Sequence, residues 1–95
     1  MRVKTEPIIL DPDPSDAEDF EVSARAMERA LRARLIRRTR EGLGLSQVEF
    51  ARRFKVPPGT LRDWEQARAT PPDFAMAYVA VIARHPDLVV AALGE

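Results

Sequence analysis

Beyond residue 41, prolines and glycines cut this chain at four places: GLGL at 42–45, KVPP at 55–58, TPP at 70–72 and HP at 85–86. Between the cuts lie runs of roughly eight to twelve residues whose apolar positions recur at three- and four-residue spacing, and none keeps the two-residue alternation of a strand. Helices that short are marginal alone in water, so they must bury their apolar faces against one another. The expected fold class is all-α, with five helices.

A longer helical pattern precedes the first cut. From Ser23 onward, Met27, Leu31 and Leu35 recur at four-residue intervals among arginines at 25, 29, 32, 34, 37, 38 and 40, and Gly42 offers a C-cap. Ser46 and Glu49 then form the Ser-x-x-Glu signature of a capped helix start, with Phe50, Ala51 and Phe54 facing inward. Val56 stands before a proline and is pushed away from helical angles, whereas Pro58 fits the first position of a third helix, with Leu61 and Trp64 inward. Asp73 to Arg84 brings Phe74, Ala77, Tyr78, Val81 and Ile82 to helical spacing. Pro86 to Leu93 forms a last short helix whose Leu88, Val89, Ala92 and Leu93 exceed what a terminal helix usually needs, so these four are expected to form a dimer surface.

The chain has 95 residues and zero formal net charge, but the charge is unevenly spread. Residues 1–22 sum to −5 and residues 23–84 to +7. An acidic arm attached to a basic body points to two surfaces with different partners, or to a tail that only aids solubility. The expected division is a flexible acidic arm over 1–22, with Pro7, Pro12 and Pro14, followed by a domain over 23–95. There is no cysteine and one histidine, His85, so neither a thiolate metal site nor a disulfide is available, and no metal or cofactor is expected. No run reaches the roughly 18 apolar residues of a membrane span and the N-terminus lacks a signal-peptide pattern, so a cytoplasmic location is expected. No Ser/His/Asp set or glycine-rich phosphate loop supports catalysis, and no catalytic residue is assigned.

Two helices of about eight residues joined by a short turn, with others covering their inner faces, make a helix-turn-helix, here over 46–66. Ala51 is the small residue that lets the second helix cross the first closely. From Ser46 to Glu65 the string SQVEFARRFKVPPGTLRDWE resembles the phage-repressor-like XRE helix-turn-helix family in its entry, Glu49, Ala51, Val56, Leu61 and the final aromatic followed by glutamate. Over roughly 42–93 the chain is also similar to the HigA-like antitoxins of that family. Lys55 and Ala67 stand where the family usually has glycine.

That resemblance implies a third helix laid in the major groove of operator DNA. With Leu61 and Trp64 inward, the opposite face carries Gly59, Arg62, Asp63 and Gln66, with Pro58 and Thr60 leading. Arg62 can donate twice to guanine or bind phosphate, and Asp63 can accept from cytosine N4 or orient Arg62 or a neighbouring arginine, orientation being favoured. Ser46 and Gln47 open the second helix, where a phosphate is well received, and Lys55, Arg52, Arg53 and Arg68 are phosphate candidates. The resemblance also implies a structural ion pair between Arg40 and Glu65. The functional expectation is a homodimeric repressor, the antitoxin of a RelE/HigB-like ribonuclease toxin, with PIIL at 7–10 adding a strand to the toxin's sheet edge. The alternatives are a stand-alone regulator of the same family and an interaction adaptor without DNA binding.

Overall fold

Three helices begin at a proline, where a missing N–H leaves no bond unmade. In the computed structural model, which describes residues 14–94 with side chains from residue 23, these are α1 (Pro14–Gly42), α3 (Pro58–Glu65) and α5 (Pro86–Ala92). Between them lie α2 (Gln47–Phe54) and α4 (Asp73–Arg84), and the described residues contain no strand. The helical pattern expected from Ser23 thus extends back to Pro14. Residues 1–13 of the expected arm, including the PIIL segment, lie outside the described residues.

The turns follow from local chemistry. Gly44, at φ 72°, takes the left-handed turn after α1; the sequence had pointed to Gly42. The Ser46 hydroxyl accepts from the Glu49 N–H at 3.1 Å, and the Glu49 carboxylate accepts from the Ser46 N–H at 2.8 Å. That backbone bond is the main reason the Glu49 carboxyl sits below its usual pKa. Lys55 ends α2 at φ 61°, ψ 39°, a lysine held in the left-handed region, and Val56 N–H then donates to Ala51 O at 2.9 Å. Ala67 after α3 is left-handed too, at φ 58°. A Cβ in that region is disfavoured by roughly 1–2 kcal/mol. Ala67→Gly should therefore raise unfolding stability by about 1 kcal/mol in urea titrations, and the β-branched Ala67→Val should lower it.

The core is Ile36 from α1, Phe50, Ala51 and Phe54 from α2, Leu61 from α3, Val79 and Ile82 from α4 and Val89 from α5. The rings of Phe50 and Phe54 meet at 4.8 Å with a 52° tilt, an edge-biased contact. Ala51 is buried in this cluster, as the crossing of two short helices requires. Tyr78 donates from its hydroxyl to Phe54 O at 2.7 Å, satisfying a carbonyl at the open end of α2, and burial raises the phenol's pKa.

The faces that α1 and α4 bury differ from those their periodicity suggested. On α1 it is Ala33 and Ile36 that are buried, while Met27, Leu31 and Leu35 are exposed. The reason is polar. Arg32, Arg37 and Arg40 lie on the Ile36 side and reach backbone or carboxylate on other segments: Arg32 to Pro71 O at 2.8 Å and to Asp73 at 2.9 Å, Arg37 to Glu65 O at 3.1 Å, and Arg40 to the Glu65 side chain. On α4 the buried residues are Ala75, Val79 and Ile82, and Phe74 and Val81 point outward. This helix is apolar nearly all round, so spacing alone does not select a face; the small Ala75 lets it approach the body. Val89, expected at a dimer surface, is instead packed in its own chain's core, because α5 folds back under α2 and α4. Leu88, Ala92 and Leu93 remain exposed.

Candidate nucleic-acid interface

The orientation of α3 rests on one buried polar cluster. Glu65, at the C-terminal end of α3, is only 6% exposed. Its carboxylate accepts from Arg40 Nε at 2.7 Å and Nη2 at 2.9 Å, a two-pronged pair, and from Gln47 Nε2 at 3.0 Å. The remaining guanidinium nitrogen of Arg40 donates to Leu45 O at 2.9 Å, so the loop before α2 is tied in as well. The hydrogen bonds that Arg40 donates to Glu65 are the largest influence raising the guanidinium's pKa. Helices α1, α2 and α3 therefore converge on a single carboxylate. A buried charge held this way specifies geometry, since every other orientation leaves it unpaired.

With Glu65 and Leu61 turned inward, the opposite side of α3 is presented to solvent. Pro58, Gly59, Arg62 and Gln66 are exposed and Thr60 is half-buried. Gly59, Arg62 and Gln66 fall at three- and four-residue spacing and so form one stripe. A Cβ built on Gly59 meets no atom within 4 Å, so nothing inside the chain requires glycine there. Asp63 is half-buried and sits 3.7 Å from Arg68, whose backbone N–H donates to Asp63 O at 2.9 Å. The carboxylate thus partners Arg68, beyond the end of the helix.

Around this stripe lie the other candidate residues. Ser46 is exposed and occupied with capping α2, and Gln47 is half-buried with its amide on Glu65. Arg52, Arg53 and Lys55 are exposed near the end of α2. Trp64 is half-buried at the edge of the core, where with Val56, Pro57, Leu61, Phe74 and Tyr78 it lines an apolar cleft. Three of these polar ties were not expected from the sequence: Gln47 on Glu65, and Arg37 and Arg32 joining α1 to the rest. The only signal for the last two was their shared face with Ile36 and Arg40, legible once Arg40 is known to point inward.

A family model described as a helix-turn-helix domain matches residues 29–93 of the chain. No curated protein and no solved structure matches it.

Proposed function

As the chain belongs to the helix-turn-helix domain family, a family of DNA-binding regulators, we propose that it is a sequence-specific transcriptional repressor that lays α3 in the major groove of operator DNA. The observation that carries this reading is the outward stripe of Gly59, Arg62 and Gln66 on a helix locked from behind by Glu65. Arg62 reads guanine or holds the adjacent phosphate. The capped start of α2 at Ser46 and Gln47 receives a backbone phosphate on its N–H groups, and Lys55, Arg52, Arg53 and Arg68 add charge. Asp63 steadies Arg68, leaving its carboxylate partly neutralised near the phosphates.

One helix with so few readout side chains cannot supply high specificity alone, so the protein acts as a homodimer on a two-part site. Its operator lies upstream of its own gene. The test is a mobility-shift titration on that upstream DNA across a salt series. A shift that weakens steeply with salt is expected, and no shift at low salt would end the proposal in favour of the adaptor reading. Gly59→Ala sharpens it. The substitution should stabilise the helix by roughly 0.5–1 kcal/mol, since it fills open space with a better helix former. If α3 lies close against the DNA backbone, the same change weakens operator binding, and a more stable variant with undiminished binding would place Gly59 away from DNA.

The finer reading is that of an antitoxin which neutralises a RelE/HigB-like ribonuclease and represses the operon encoding both, in the cytoplasm. What supports it is the likeness of residues 42–93 to HigA-like proteins together with the acidic composition of residues 1–22, suited to a basic RNA-binding surface. Co-expression with the product of the adjacent reading frame should yield a copurifying complex and suppress a ribonuclease activity. A neighbour unrelated to small ribonucleases favours the stand-alone regulator.

A further inference from the structure

Helix α1 carries more apolar surface than its own chain uses. Met27, Leu31 and Leu35 are 64, 56 and 54% exposed along one face. At Leu35 this face runs into a shallow groove between α1 and α4 lined by Thr39, Met76, Ala80 and Ala83. Among the described side chains, Arg32 is the most N-terminal on α1 that bonds to another segment, yet the helix begins at Pro14, about 27 Å further out. A projecting helix with an uncovered apolar stripe needs a partner for that stripe.

The charge along α1 says which partner. Its first two turns hold Asp16, Glu18, Asp19 and Glu21 in sequence, whereas residues 32–40 hold five arginines, of which Arg34 and Arg38 are exposed. We infer that the Met27–Leu31–Leu35 face is where two copies of this chain associate, α1 packing antiparallel on α1 with the twofold axis close to Met27. About that axis, Arg38 of one copy comes alongside position 16 of the other, an aspartate, and Arg34 alongside position 20, which Asp19 and Glu21 flank in sequence. Leu31 and Leu35 then come alongside positions 23 and 19 of the second helix, next to the apolar positions 24 and 20. A parallel pairing would set arginine against arginine and acid against acid, which disfavours it. The contact is self-complementary, as a closed dimer requires. Helix α5 competes poorly because Val89 is already spent on its own core.

This surface rests on the operator-binding reading for its purpose but is measured without DNA, so loss of the dimer contact and loss of the operator shift are read in separate experiments. The full chain should sediment as a dimer, and Leu31→Glu should raise its dissociation constant by about 30-fold or more with the helical circular dichroism unchanged, Leu31 being exposed in the protomer. The chain has no cysteine, which makes single-site cross-linking decisive. Met27→Cys should oxidise to a disulfide-linked dimer. Leu35→Cys should not, because antiparallel pairing holds the two copies of position 35 about 24 Å apart; Val48→Cys, exposed on α2, should not either. A monomer at roughly 100 μM, a Leu31→Glu variant that dimerises like the parent, or failure of Met27→Cys to cross-link would each overturn the inference. Equal cross-linking at Leu35 would overturn the antiparallel arrangement.

Discussion

Replacing Glu65 by alanine is expected to lower the unfolding free energy by about 3–5 kcal/mol, the largest loss of any single polar substitution in this chain. The carboxylate is the shared acceptor for Arg40 and Gln47, and it is almost fully buried. Removing it strands the Arg40 guanidinium, itself mostly covered, without its counter-charge. It also unfastens α3 from α1 and from the start of α2. Chemical denaturation followed by circular dichroism measures the loss, and Glu65→Gln should fall between the parent and Glu65→Ala, because an amide can still accept one hydrogen bond. The double variant Arg40→Met/Glu65→Ala should lose less than the two single changes combined, since it no longer buries a lone charge. A loss for Glu65→Ala below about 1 kcal/mol would mean that water screens the pair as it does a surface salt bridge.

Arg62→Ala should have the opposite profile, with folding stability unchanged within about 0.5 kcal/mol and operator affinity reduced by about 1–3 kcal/mol. Arg62 is exposed, and among the described residues no hydrogen bond or ion pair ties its side chain to the body, so the fold does not depend on it. If it reads guanine, the loss is confined to the operator and preference at one base position relaxes. Arg68→Ala is the comparison: without a cation to meet the phosphate there, binding should weaken on all sequences alike and the salt slope should fall by about one. An Arg62→Ala variant that binds its operator like the parent would remove α3 from the recognition role.

The contrast between Glu65 and Arg62 shows where sequence reasoning works. They are three apart on one short helix, and one is buried and the other exposed because Leu61 and Glu65 share its inner face. In that segment the local signals agree: Ser46 and Glu49 cap α2, Pro58 starts α3, and the apolar residues of both helices have one consistent side. Lys55 shows the same agreement from the other direction, since the chain must reverse between α2 and α3 at that position whatever residue stands there, and the lysine adopts the left-handed angles.

Elsewhere the local signals are silent or misleading. The leucine stripe of α1 has helical spacing as regular as any core face, and α4 is apolar on every side, so periodicity could not tell a buried face from an exposed one. What decided them was long-range: the carboxylate of Glu65 and the carbonyl of Pro71 fix where Arg40 and Arg32 must point, and the rest of α1 turns with them. The same holds for Gln47, drawn inward by a carboxylate eighteen residues away. Sequence alone determined the number of helices in the domain, where most of them start and stop, and which stretch forms the helix-turn-helix, because capping, proline geometry and helical period act within a few residues. Only the tertiary structure decided which faces are buried and which remain for partners, because that choice depends on side chains brought together from distant parts of the chain.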